Sequence, residues 1–172
     1  MIKAITNKRI LKSLFLTTMF FFCASMVIAQ PELPKRAISV QATQSINFGT
    51  FCVTGAGGTV TVGYDGSTSS TGGITLLSIA PTAQPAIFEI KLCQGRNVNI
   101  TFIPTTTLIG SNGGTLTLDI GPTEKGPNGC HFATNADCNF ITPLRVGGTL
   151  HVPGTAPQGT YSGSFEITFN QE

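Results

Sequence analysis

The sequence has no tryptophan, few tyrosines and little charge. Among its 172 residues there is no Trp, there are two Tyr, and charged residues make up 10%. Sugar-binding platforms favour exposed aromatic rings, so this scarcity weakens the interpretation of the chain as a carbohydrate-binding module. Thr, Ser and Asn are abundant instead, which is typical of strands that keep a wet outer face without charge.

One long apolar run is present, and it lies near the N-terminus. Four basic residues within the first twelve precede the apolar residues 14–28, and a small-residue pattern ends at Ala29. The run is shorter than the roughly twenty residues that a membrane-spanning helix needs, so a cleaved export signal is favoured over a membrane anchor. A lipid anchor is not expected either, because Cys23 follows a large residue, Phe22.

These features predict three parts of the chain. Residues 1–29 are expected to be a cleaved signal peptide, residues 30–36 a short extension, and residues 37–172 one domain. All four of the early basic residues lie in the signal, which has no acidic residue, so the remainder carries six basic and eight acidic residues and a formal charge of −2. This balance gives no support to nucleic-acid binding.

The rest of the chain alternates between apolar and polar residues in short segments, with glycine-rich segments between them, and shows no convincing helical periodicity. This pattern predicts eight or nine strands in an all-β, antiparallel sandwich. The segment 55–58, Gly-Ala-Gly-Gly, is interpreted as a hairpin turn. The apolar members of the alternating segments are Ile38, Val40, Ala42, Ile46, Phe48, Val60, Val62, Tyr64, Ile74, Leu76, Phe88, Ile90, Leu92, Val98, Ile100, Phe102, Leu116, Leu118, Ile120, Val146, Leu150, Val152, Phe165, Ile167 and Phe169.

Four cysteines remain after signal cleavage, and an even number in an exported chain indicates disulfides. Three pairings are possible, of which we predict Cys52–Cys93 and Cys130–Cys138. Chain-entropy arithmetic assigns about 4 kcal/mol to the longer loop and about 2.6 kcal/mol to the shorter one. Such bridges would suit a protein that must persist outside the cell.

No motif of a known catalytic or metal site is present. His131 lies near Cys130, Asp137 and Cys138, but cysteines eight residues apart lack zinc-finger spacing and would be oxidised in an exported protein. His151 is interpreted as a surface residue of a strand. The sequence has no Gly-x-Ser-x-Gly motif, and its acidic residues are scattered. We therefore expect a non-enzymatic protein with no cofactor and no bound metal.

Three ordered blocks of the sequence carry a family resemblance. They are residues 46–50 (Ile-Asn-Phe-Gly-Thr), the segments Gly57–Val62 and Thr71–Leu76 around Asp65-Gly66, and the segments Val146–Leu150 and Gly159–Gly163. Their order resembles the bacterial secreted family known as domain of unknown function 4402, which is similar to the spore coat protein U and fimbrial subunit families. The resemblance implies an immunoglobulin-like, pilin-like sandwich, and it supplies no catalytic residue.

The fimbrial likeness also suggests two sets of assembly residues. Residues 36–43, with Ile38 and Val40, are either the first strand of this domain or a strand donated to a neighbour, with the first favoured. The alternation of Phe165, Ile167 and Phe169 marks a final strand that a neighbouring subunit or a chaperone would approach.

The expected function is therefore a secreted, periplasmic or cell-surface structural protein of a bacterium, such as a pilin-like or adhesin subunit. Its expected partners are copies of itself, other surface subunits or a periplasmic chaperone. No nucleic acid and no membrane span after cleavage are expected. The alternative is an extracellular carbohydrate-binding module.

Overall fold

The structure is a computed structural model that describes residues 38–92, 97–135, 137 and 139–171. These residues lie in one compact unit. The predicted signal peptide and the extension of residues 30–36 lie outside the described residues. Within the described part of the chain, no helix long and apolar enough to cross a membrane is found.

The described residues form eleven strands and no helix. In chain order the strands are β1 Ser39–Gln44, β2 Thr50–Val62, β3 Thr68–Leu77, β4 Ala86–Lys91, β5 Asn97–Phe102, β6 Thr105–Gly110, β7 Thr115–Thr123, β8 His131–Ala133, β9 Thr142–Val152, β10 Tyr161–Ser162 and β11 Ile167–Gln171.

The strands form two sheets in which every pairing is antiparallel. The large sheet has the order β1-β4-β9-β7-β6-β10, with β2 pairing to both β9 and β3, and the small sheet has the order β11-β5-β8. The prediction of an all-β, antiparallel, single-domain sandwich is confirmed.

Two neighbouring segments of the chain, residues 97–110 and residues 161–171, each contribute one strand to either sheet. β5 pairs with β11 in the small sheet, and β6, which follows β5 after two residues, pairs with β10 in the large sheet. Gly110 lies opposite Tyr161, and Phe102 lies opposite Ile167, so the two segments run side by side from one sheet to the other. The C-terminal residues 161–171 therefore contribute β10 to the large sheet and β11 to the small sheet.

The core lies between the layers and is built from alternate residues of the strands, because successive side chains of a strand point to opposite faces. Burying them removes apolar surface from water, the main favourable contribution to folding. The side chains with at most 3% exposure include Val60, Val62, Ile90, Leu92, Val98, Ile100, Leu116, Leu118, Leu144, Val146, Leu150 and Val152.

The interpretation of residues 55–58 as a hairpin turn is wrong. These residues lie within β2, and the register of β2 against β3 shifts between Val53 and Gly58. Gly57 and Gly72 have φ angles of 62° and 66°, values that residues with side chains rarely adopt. Such φ angles are typical of glycines in β-bulges. These glycines therefore bend the long β2–β3 pair and do not reverse the direction of the chain.

The reversal between β2 and β3 occurs at residues 63–67. The Gly63 N–H donates to the Ser67 carbonyl oxygen at 2.8 Å, and the Ser67 hydroxyl donates to Asp65 Oδ1 at 2.6 Å. This hydroxyl lowers the pKa of Asp65, with a further contribution from the Ser67 backbone N–H. The Asp-Gly pair thus marks the turn of this hairpin.

Candidate functional site

β1 is an edge strand whose side chains are almost all exposed. It pairs with β4 of the same chain, with Val40 opposite Ile90 and Ala42 opposite Phe88. Residues directly opposite each other in a sheet share a face, so Val40 and Ala42 lie on the inner face of the large sheet. Val40 is nevertheless 37% exposed and Ala42 is exposed as well. The described residues therefore cover this face of β1 only in part, with Ile38 half-buried against the core.

β11 is an edge strand of the small sheet. It pairs with β5 along one side, and none of the described strands pairs with its other side. The side chains of Phe165, Ile167 and Phe169 are half-buried and pack against the core. An unpaired edge leaves backbone N–H and C=O groups available to another strand.

Phe88 of β4 connects the two edges. Its ring lies 6.3 Å from the ring of Phe165 and 6.0 Å from that of Phe169, centroid to centroid. Both distances are typical of favourable aromatic pairs. The segment of residues 165–169 therefore packs against β4, and β1 is the next strand of the large sheet.

We call this arrangement the seam. It consists of Ile38 (just before β1), Val40 and Ala42 on one side, Phe165, Ile167 and Phe169 on the other, and Phe88 between them. All five residues that the sequence suggested for assembly lie here. Phe88 and Ala42 were expected only as strand residues, and their place in the seam follows from a pairing register that no local pattern reveals.

The apolar side chains of the seam cannot transfer protons or bind a metal. The charged residues of the adjoining strands, Glu89 and Lys91, alternate with the inner-face residues of β4 and lie on its other face. The seam therefore offers backbone hydrogen bonds and apolar contact, which is the chemistry of strand addition.

The predicted disulfides stay predictions. Cys52 is exposed and Cys130 is half-buried, and both are free thiols in the structure. Their predicted partners, Cys93 and Cys138, lie outside the described residues. Burial raises the pKa of the Cys130 thiol.

The two histidines make contacts on strand faces. His131 Nε2 lies 3.1 Å from Asn99 Nδ2, across the β5–β8 pair. His151 is 47% exposed, as expected for a surface residue, and its Nε2 lies 2.7 Å from Asp119 Oδ2. Asp119 also accepts a hydrogen bond from the Thr105 hydroxyl. Within the described part of the chain, no group of His, Cys, Asp or Glu is arranged to hold a metal ion.

The His151–Asp119 pair belongs to a polar outer face of the large sheet. On the same face the hydroxyls of Thr61 and Thr149 lie 3.1 Å apart, and those of Thr59 and Thr71 lie 2.7 Å apart. The other acidic residue of this region, Glu124, binds Arg145 at 3.0 Å. Asp119 and Glu124 thus have separate partners.

A family model described as Domain of unknown function (DUF4402) matches residues 38–170, nearly the whole described domain. No curated protein and no solved structure matches the chain. The matched range begins just before β1 and ends within β11, so it includes both sides of the seam. The protein is therefore a member of the DUF4402 family.

Proposed function

We propose that the protein is a non-enzymatic structural subunit, exported to the surface or the surroundings of a bacterium, where it assembles with copies of itself or with other surface subunits. The main support for this proposal is the edge of β11 that no described strand pairs with, together with the exposed strand β1. Soluble monomers usually protect such edges, because a free edge pairs readily with other chains. An edge that is kept open, with half-buried apolar side chains beneath it, suits a contact with another subunit.

The sequence supports the same proposal. The apolar run of residues 14–28 has the features of an export signal, and the four remaining cysteines suit an oxidising compartment. The resemblance of this family to the spore coat protein U and fimbrial subunit families suggests a pilin-like or adhesin role. A periplasmic chaperone that holds the β11 edge before assembly is the partner expected on this account.

Electron microscopy of cell-surface material, labelled with antibodies to the protein, tests the proposal. We expect label along filaments or in a continuous surface layer. A diffuse soluble pool without surface label would contradict a structural role. Antibodies against an unrelated periplasmic protein provide the control for leakage.

A carbohydrate-binding module is the second candidate, and one observation favours it. The outer face of the large sheet presents threonine hydroxyls together with His151 and Asp119, groups that can hydrogen-bond to sugars. Tyr64, which is 39% exposed, offers an aromatic ring at the β2–β3 turn. A glycan array tests this candidate. Binding to a glycan that is lost in Asp119→Ala would support it, and the absence of binding to every glycan on the array would exclude it.

A further inference from the structure

Two asparagines of the chain, Asn112 and Asn128, are followed directly by glycine. In such a pair the glycine nitrogen can attack the side-chain carbonyl carbon of the asparagine, because glycine has no side chain to hinder the approach. Gly113 and Gly129 have φ angles of 86° and 82°, and nothing lies within 4 Å of the place where a side chain would begin. Both asparagines are exposed, so only their hydrogen bonds separate the two pairs.

Both polar atoms of the Asn128 side chain are held by the backbone of β5. Nδ2 donates to the Phe102 carbonyl oxygen at 2.8 Å, and Oδ1 accepts from the Phe102 N–H at 2.9 Å. The Gly129 N–H donates to the Ile100 carbonyl oxygen at 2.8 Å. The Gly129 nitrogen reaches the side-chain carbon only when all three bonds are broken, so this geometry protects Asn128.

The Asn112 side chain is held by one hydrogen bond instead of two. Its Nδ2 donates to the Gln158 carbonyl oxygen at 2.6 Å, and no described residue donates to its Oδ1. The Gly113 N–H donates to the Gly110 carbonyl oxygen at 3.1 Å, a longer bond than the one that Gly129 makes. Asn112 lies in the turn between β6 and β7, where residues 111–114 are all exposed to water.

From this difference we infer that Asn112 is a site of spontaneous deamidation and that the fold protects Asn128. The Gly113 nitrogen forms a bond to Cγ of Asn112, the bond from Cγ to Nδ2 breaks, and ammonia leaves with the proton of the Gly113 nitrogen. A molecule of water then opens the resulting five-membered imide. Water breaks either the new bond, which yields aspartate, or the original peptide bond, which yields isoaspartate. The inference is independent of the proposed function.

The reaction alters the contact between this turn and the segment before β10. Either product replaces the Asn112 amide by a carboxylate, which has no hydrogen to donate to the Gln158 carbonyl oxygen. Two further bonds join the same segments, from the Ser111 N–H to the Thr160 carbonyl oxygen at 2.9 Å and from the Thr160 N–H to Ser111 Oγ at 3.1 Å. We expect both to open more often once the neighbouring bond is lost. Deamidation thus loosens the chain that leads into β10.

Incubation of the purified protein in mildly alkaline buffer, which speeds loss of the glycine N–H proton, tests the inference. Trypsin places the two asparagines in different peptides, residues 97–125 and 126–145. Fragment mass spectra locate each conversion of an amide to an acid, and an isoaspartate methyltransferase detects isoaspartate. We expect Asn112 to convert about fivefold faster than Asn128 or more, since one hydrogen bond fewer has to break. Equal rates, or faster conversion of Asn128, would overturn the inference.

The same protein unfolded in urea is the control for the chemistry of the two sequences. Without the fold, both asparagines are free to turn towards the following glycine, and we expect similar rates of conversion. A preference for Asn112 of the same size in urea would overturn the inference, because the fold would then not be its cause.

A matched pair of variants tests the consequence. Asn112→Asp supplies the aspartate product directly, and Asn170→Asp adds the same charge at an exposed position of β11. By NMR, we expect the amide proton of Thr160 to exchange about threefold faster or more in Asn112→Asp, because a local opening becomes easier. Its exchange in Asn170→Asp is expected to match that of the original protein. Unchanged exchange in Asn112→Asp, or equal acceleration in both variants, would overturn the loosening of this segment.

Discussion

β1 and β11 are both edge strands on the same side of the sandwich, yet their side chains have different surroundings. β11 has its apolar residues half-buried over Phe88, whereas β1 has five of its six residues exposed. Both segments alternate in sequence, and both pair with one neighbour in the described structure. The aromatic contacts of the opposite layer are made with Phe88 of β4, and β1 lies one strand further along the large sheet. Alternation therefore indicates a strand and its inward face, while burial depends on whether another layer lies opposite.

The largest expected effect on stability concerns Phe88, which lies between the two edge strands. Phe88→Ala removes a half-buried ring that contacts both Phe165 and Phe169, and we expect it to lower the free energy of unfolding by about 2–3 kcal/mol. Urea denaturation measures this. Phe140→Ala is the control, since Phe140 is 59% exposed and its loss should change stability by less than about 0.5 kcal/mol. Equal losses in the two variants would contradict the placement of β11 over β4.

The next prediction, with a smaller expected effect, concerns the contact between the two layers alone. In a double-mutant cycle of Phe88→Ala and Phe169→Ala, we expect a coupling energy of about 0.5–1.5 kcal/mol, as for other aromatic pairs. The rings are 6.0 Å apart, so their contributions cannot be independent if the layers pack as described. Additive losses in urea denaturation would show that β11 does not rest on β4.

The smallest effect is expected at β1. Val40→Ala removes two methyl groups from a side chain that is already 37% exposed, and we expect a loss of about 0.5 kcal/mol or less. The matched comparison is Val98→Ala, at a fully buried position of β5, where we expect a loss of about 2 kcal/mol. If Val40→Ala cost as much as Val98→Ala, β1 would be covered and the seam would be closed.

The sequence alone was sufficient to predict the strands that make up the seam. The alternation of Phe165, Ile167 and Phe169 predicted a strand and its inward face, because successive side chains point to opposite sides. The strand in the structure, Ile167–Gln171, begins two residues later, so Phe165 lies just before it. The export signal and the disulfides stay predictions, since residues 1–37 and two of the cysteines lie outside the described residues.

Features that depend on distant pairing could not be read from the sequence. The contact of Phe88 with β11 depends on how the two layers are offset, and the His151–Asp119 pair depends on the register of β9 against β7. The glycines of β2 were misjudged for a related reason. Gly-Ala-Gly-Gly has the composition of a turn. Its place in a bent strand depends on the partner strand β3, in which Gly72 and Gly73 lie opposite the bulge.

Site-specific photo-cross-linking on intact cells tests most directly whether the β11 edge is the assembly contact. A photoreactive amino acid replaces Thr168 on β11 or, as the control, Thr117 on the exposed face of β7. The account predicts light-dependent species of higher mass from position 168 and none from position 117. Cross-links from position 117 alone, or none from position 168 on cells that display the protein, would contradict it.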